Sequence, residues 1–125
     1  MKILGIDDNE DLLNLCEITL TSDGHEFTGI SNGREGLQAI KDKKFDLVLL
    51  DLSMPEFSGM DVINALVEED IMNKQKVAIL TATTPTKKEI DQFLEKGAHS
   101  VLKKPIDPDE LSKFVHKLES ERWML

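Results

Sequence analysis

Leu47-Val48-Leu49-Leu50-Asp51-Leu52-Ser53-Met54-Pro55 decides the fold. Four consecutive aliphatic residues end on an acid and then on a Ser-Met-Pro turn. A short, continuous apolar run bounded this way is expected of a strand buried on both faces of a parallel sheet. Outward from it, Ile3–Ile6 and Val77–Leu80 are runs of the same kind, and Glu26–Ile30 and Ser100–Leu102 are weaker ones.

The segments between these runs carry helix signals. Leu12, Leu15, Cys16, Thr19 and Leu20 recur at i, i+3, i+4 and suit a first helix. Asn32 with Glu35 reads as a capping box for a second helix ending near Lys41. Ser58 with Asp61 can open a third through Val62, Ile63, Leu66 and Val67, and Thr84 or Thr86 a fourth that carries Ile90, Phe93 and Leu94 and stops at Gly97. Asp107-Pro108-Asp109-Glu110 supplies an N-cap, a first-turn proline and acids for a fifth, with Leu111, Phe114, Val115 and Leu118 on its apolar side. Strand and helix alternate five times, which is an α/β pattern. Right-handed crossovers place the helices on both faces of a parallel sheet.

Length and charge bound the rest. The chain has 125 residues, the size of one domain, and residues 1–125 are read as a single unit without repeat or linker. It carries one cysteine, Cys16, in an apolar helical stretch, so no intrachain disulfide is expected and a reducing compartment fits. No stretch is long enough to span a bilayer, and Asp7-Asp8 cut the apolar start short, which excludes a signal peptide. A cytoplasmic location without membrane insertion is expected. The net charge is −9 and the pI near 4.7, and the lysines are scattered, so no direct nucleic-acid binding is expected of this chain. Trp123-Met124-Leu125 either pack on the fifth helix or mark a junction with a longer chain or a partner.

In a doubly wound parallel sheet the site lies outside the carboxyl ends of the strands. Asp7-Asp8 follow the first run, Asp51 the third, Thr81 the fourth and Lys104-Pro105 the fifth. Each alone has an ordinary reading: Asp8 as a helix cap, Thr81 as a loop hydroxyl, Lys104 as a solvated lysine like Lys103. Together they put three carboxylates on one rim, where like charges raise one another's pKa. A hard divalent cation offsets that repulsion. Mg²⁺ accepts one or two carboxylates and leaves room for phosphate oxygens. A lysine and a hydroxyl beside it can hold further phosphoryl oxygens, and a remaining carboxylate can serve as nucleophile. Neither G-x-x-x-x-G-K-[ST] nor G-x-G-x-x-G occurs, so nucleotide binding is unsupported. His25, His99 and His116 show no ligand spacing and read as surface or structural residues.

Four stretches, in order and at strand ends, resemble the receiver domain of two-component response regulators. They are Ile3-Leu4-Gly5-Ile6-Asp7-Asp8-Asn9-Glu10, Leu47–Pro55 with Gly59 eight positions past Asp51, Ile79-Leu80-Thr81-Ala82, and Lys104-Pro105. The resemblance covers essentially the whole chain. It implies a flavodoxin-like (βα)5 fold with a five-stranded parallel sheet in order 2-1-3-4-5. It implies Asp51 as phosphoacceptor and Asp8 as a direct Mg²⁺ ligand, with Asp7 assisting through water and Asp51 and the Ser53 carbonyl sharing the ion. It implies Thr81 and Lys104 as partners of phosphoryl oxygens, and a cis bond before Pro105. The implied donor is a sensor histidine kinase, a histidine phosphotransfer protein or a small phosphodonor, and the implied output is a conformational switch that regulates a downstream protein. Such a domain is not an enzyme in the usual sense, although it assists its own phosphorylation and dephosphorylation. One position departs from the family: the aromatic usual three residues before the lysine is Val101 here.

Two other readings compete. A haloacid-dehalogenase-type phosphatase resembles D-x-D-x-[TV], but Asp7 is followed by Asn9 and Asp51 by Ser53 at the second acidic position. A receiver-like binding module that works without phosphorylation would be expected to have lost an acid, the acceptor or the lysine, and none is lost.

Overall fold

A computed structural model of the chain describes residues 1–122; Trp123, Met124 and Leu125 lie outside the described residues. The elements run β1 (Lys2–Ile6), α1 (Glu10–Ser22), β2 (Glu26–Ile30), α2 (Gly33–Asp42), β3 (Leu47–Asp51), α3 (Gly59–Glu68), β4 (Val77–Thr81), α4 (Lys87–Glu95), β5 (Ser100–Lys103) and α5 (Pro108–Arg122). All neighbouring strands pair in parallel, in the order β2-β1-β3-β4-β5. This is the flavodoxin-like arrangement.

Each strand feeds two cores because its side chains alternate across the sheet. Ile3, Leu47, Leu49, Ala78 and Leu80 meet Cys16 and Leu20 of α1 and Leu111, Val115 and Leu118 of α5. Leu4, Ile6, Val48, Leu50, Val77 and Ile79 meet Ile40 of α2 and Val62, Ile63 and Leu66 of α3. β3 and β4 are buried along their whole length, whereas edge strands β2 and β5 are half-exposed, which is why their sequences are less apolar. Burying one of these aliphatic side chains is worth about 1.5–3 kcal/mol, so the central strands hold the carboxyl rim rigid.

Local chemistry sets the helix starts. Ser58 and Asp61 close a complete capping box on α3, and Thr86 and Glu89 one on α4, which decides between Thr84 and Thr86. Asn32 accepts from the Glu35 amide at 2.9 Å, one half of the expected box on α2. Asp107 Oδ1 accepts from the Asp109 and Glu110 amides at 2.8 and 3.2 Å at the head of α5. Helix α1 does not use Asp8 as its cap, the ordinary alternative to a ligand role: its cap is Asn9, whose side chain accepts from the Leu12 amide at 3.1 Å. Asp8 is left exposed and available.

Helix α4 is the least anchored. None of its residues is buried, and Leu94 is 43% exposed. Phe93 and Val101 reach the α2–α3 core from the half-exposed side. Val101 stands opposite Ile79 in the β4–β5 register, two residues before Thr81. An element with few buried apolar contacts opens more readily than the rest of its fold.

Candidate functional site

Asp7 is the first residue past β1, Asp51 the last of β3, Thr81 the last of β4, and Lys104 the first past β5. All sit on the carboxyl rim, as their positions in the sequence require. Backbone hydrogen bonds lock the rim together. The Lys104 amide donates to the Thr81 carbonyl at 2.7 Å, the Leu52 amide to Leu80 at 3.2 Å, and the Asp7 amide to Ile30 at 3.2 Å. The Lys104–Pro105 peptide is cis.

Three carboxylates converge. Asp7, Asp8 and Asp51 each offer an oxygen within 4.8 Å of the others'. Asp7 is 1% and Asp51 3% exposed, whereas Asp8 faces solvent. The Lys104 ammonium bridges the buried pair, 2.6 Å from Asp7 Oδ2 and 3.3 Å from Asp51 Oδ1. Asp7 Oδ1 accepts from the Asn9 amide at 2.9 Å, and Asp51 Oδ1 from the Ser53 amide at 3.3 Å. Asp7 Oδ2 is buried without a well-directed hydrogen bond, the ion pair with Lys104 aside. Among the described residues no hydrogen-bond donor addresses Asp51 Oδ2.

The electrostatics follow. Burial, then the charge of Asp7, pushes the Asp51 carboxyl above its ordinary value; Lys104 opposes this and does not overcome it. Burial acts to lower the Lys104 ammonium, but its bonds to Asp7 and Asp51 outweigh that and hold it above its usual value. One ammonium therefore serves two buried carboxylates, with a third, exposed carboxylate close beside them. Three carboxylates with oxygens within 4.8 Å of one another, and one ammonium between two of them, leave an excess of negative charge that suits a hard divalent cation with oxygen ligands. Cys16 lies beneath the cluster, 2% exposed, and burial followed by the charge of Asp7 pushes its thiol up to about 11. It is therefore no thiolate nucleophile.

Thr81 is 7% exposed, and its hydroxyl is turned toward Thr83 rather than Asp51. Ser53 is exposed in the loop after β3. That loop is shaped by Gly59: a Cβ there would stand 2.2 Å from the Asp51 carbonyl oxygen and 2.7 Å from Leu52 Cα. The spacing from Asp51 to Gly59 is thus a close backbone approach that only glycine permits. Thus Asp7, Asp8, Asp51 and Lys104 are brought together, with Ser53 and Thr81 on the same rim. Asn9 and Thr83 were not anticipated. The Asn9 signal was its position three residues before Leu12 at a helix start; the Thr83 signal was its spacing of two from Thr81, characteristic of a hydroxyl-capped turn.

Residues 3–116 match the family of the response regulator receiver domain, and the chain belongs to that family. It is a receiver domain of the two-component response regulators. Among similar proteins, the DNA-binding response regulator MtrA of Mycobacterium tuberculosis is 34% identical over 110 residues, covering 88% of this chain and 46% of that protein. The alkaline phosphatase synthesis transcriptional regulatory protein PhoP of Bacillus subtilis is 32% identical over 116 residues, 91% of this chain and 46% of that protein. The chain thus spans about half the length of these curated relatives. Among solved structures, a Francisella response-regulator receiver domain superposes with a TM-score of 0.85 at 26% identity, covering 97% of this chain and 98% of that one. Thermotoga maritima TrrA, solved in complex with Mg²⁺ and BeF, superposes with a TM-score of 0.78 at 29% identity, covering 94% and 97%. No described helix is long and apolar enough to cross a membrane.

Proposed function

We propose that this receiver domain accepts a phosphoryl group on Asp51 in a Mg²⁺-dependent reaction and thereby switches a partner protein. The observation that carries the proposal is Asp51 Oδ2, a rim oxygen with no donor on it among the described residues, in a carboxylate that pairs with Lys104 beside Asp7 and Asp8. An oxygen of Asp51 forms the new P–O bond. The donor's P–N bond (phosphohistidine) or P–O bond (acyl phosphate) breaks, and the leaving group departs with the electron pair. Lys104 neutralises one phosphoryl oxygen as it moves from serving two carboxylates to serving the phosphoryl group. Thr81 donates its hydroxyl to another. Asp8 and Asp51, with the Ser53 carbonyl and with Asp7 through water, are the groups that would hold Mg²⁺. When bound, the ion supplies charge neutralisation among the carboxylates and the phosphoryl oxygens. That the structural neighbour TrrA was solved in complex with Mg²⁺-BeF supports Mg²⁺ as the cation.

The donor is a histidine kinase, a histidine phosphotransfer protein or a small acyl phosphate. The phosphoryl group biases the switch through its contacts with Thr81 and Lys104, which exist in one state only. The relatives MtrA and PhoP carry DNA-binding and transcriptional regulatory names over lengths that exceed this chain. For residues 1–125 we assign one receiver domain in the cytoplasm and a protein target, because the net charge of −9 opposes phosphate-backbone binding. Incubation with acetyl phosphate and Mg²⁺, followed by intact-mass measurement, tests the acceptor. Wild type should gain one phosphoryl mass and Asp51→Asn none; equal gain by both would refute the assignment.

A further inference from the structure

The Thr81 hydroxyl has one proton and two acceptor lone pairs to place. Every hydrogen bond it makes goes to one residue. The Thr83 amide donates to Thr81 Oγ1 at 3.3 Å, the two Oγ1 atoms lie 3.2 Å apart, and the Thr83 carbonyl lies 3.4 Å from Thr81 Oγ1. No bond from this hydroxyl reaches Asp51 among the described residues. Thr81 is buried at the end of β4, and its carbonyl is pinned by the Lys104 amide at 2.7 Å, so the residue turns by its side chain rather than by leaving the strand. Thr83 is exposed, in the loop that leads to the Thr86 cap of α4.

We infer that Thr83 is a latch: its hydroxyl and backbone hold the Thr81 hydroxyl away from Asp51 in the unphosphorylated state, and their release sets how readily the switch is thrown. Thr83 is a positioning residue: among the described residues it makes no hydrogen bond to Asp51, and it acts through Thr81. The inference rests on the reading of Asp51 as acceptor. To serve a phosphoryl oxygen, Thr81 must redirect its single proton, which leaves the Thr83 carbonyl and hydroxyl to find water. Thr83 is exposed, so water can replace those bonds, and the latch is weak enough to open. A charged phosphoryl oxygen is the stronger acceptor and wins the proton. Because the Thr83 carbonyl and amide belong to the chain leading into α4, releasing them also frees the least anchored helix of the fold. This gives a route from phosphoryl group to α4 that requires no aromatic at Val101.

The test uses beryllofluoride with Mg²⁺ as the phosphoryl mimic, bound to the full chain. Thr83→Val removes the hydroxyl and keeps the branched shape, and Thr83→Ser keeps the hydroxyl. Losing one neutral, exposed bond from the unbound state should tighten mimic binding about threefold in Thr83→Val and leave Thr83→Ser near wild type. The same pair is then made in a Thr81→Val background. There the latch has nothing to hold, and Thr83→Val should have no effect. In the apo protein, side-chain couplings of Thr81 should shift toward rotamer averaging in Thr83→Val and not in Thr83→Ser. Tighter binding that persists in the Thr81→Val background, or wild-type affinity and couplings in Thr83→Val, would overturn the latch alone. No mimic binding by the wild type would overturn the acceptor reading, and the latch with it.

Discussion

Replacing Asp51 with Asn should stabilise the metal-free protein at neutral pH. Asp51 and Asp7 are both almost fully buried, and one ammonium serves them. At the 3.3 Å separation of Lys104 Nζ from Asp51 Oδ1, and an effective dielectric near 20, their attraction is about 5 kcal/mol. Repulsion from a carboxylate within 4.8 Å is at least about 3.5 kcal/mol on the same scale. Two such carboxylates surround Asp51, although solvent screens the exposed Asp8. Burial adds a further penalty on the charge, and it is the largest cause of the raised Asp51 pKa. Repulsion and burial thus outweigh the one attraction, and the ionised form is disfavoured in the fold. Neutralising residue 51 should gain on the order of 1 kcal/mol, or about 4 °C in Tm for a domain of this size. The direction with pH follows from linkage. A carboxyl held above its ordinary value of 3.8 in the fold causes no strain while protonated, and the strain appears as pH rises through that value toward the raised one. The gap between wild type and Asp51→Asn should therefore be open at pH 7 and close below about pH 4. Thermal melts in chelator at several pH values measure it. An Asp51→Asn protein melting below wild type at pH 7, or a gap that widens in acid, would refute the reasoning.

Three further outcomes follow from the same geometry. Lys104→Met should destabilise the metal-free protein by about 3 kcal/mol, since it strands two buried carboxylates, and Mg²⁺ should restore part of the loss; urea melts with and without Mg²⁺ check this. Gly59→Ala should cost at least about 2 kcal/mol and weaken Mg²⁺-dependent binding of the mimic, because its Cβ falls 2.2 Å from the Asp51 carbonyl and neither backbone segment can yield cheaply. For output, beryllofluoride should shift amide resonances of residues 82–90 in wild type and in Val101→Ala but not in Thr81→Ala. A response lost in Val101→Ala and kept in Thr81→Ala would place the coupling on β5.

The central architecture was legible because buried parallel strands leave an unmistakable pattern. Leu47–Leu50 and Val77–Leu80 are apolar without alternation since helices cover both sheet faces, and each run ends where a rim residue begins. Lys104 was legible only through its place after β5; that its ammonium bridges Asp7 and Asp51 is a matter of side-chain geometry that no local pattern of charge reveals. At the head of α1, Asp8 and Asn9 are both competent caps, and the choice fell to Asn9 once the Asp7 side chain had captured the Asn9 amide. In α2, the reciprocal half of the expected box is missing, and that side chain is solvent-exposed, where such a bond contributes little. The apolar set Ile90, Phe93 and Leu94 reads like a core face, yet α4 buries none of them fully because β5 is a short, half-exposed edge strand. The bond pattern between Thr81 and Thr83 is set by the loop path and could not be read from two threonines alone.

The most direct measurement of the central claim locates the phosphoryl group itself. After reaction with acetyl phosphate and Mg²⁺, borohydride reduction converts an acyl phosphate into the alcohol of homoserine, and peptide fragmentation then reads which aspartate was converted. Homoserine should be found at residue 51, with Asp7, Asp8, Asp46 and Asp61 unaltered, and should vanish in chelator. Conversion at Asp7 or Asp8 with residue 51 intact, or conversion at residue 51 undiminished without Mg²⁺, would contradict it.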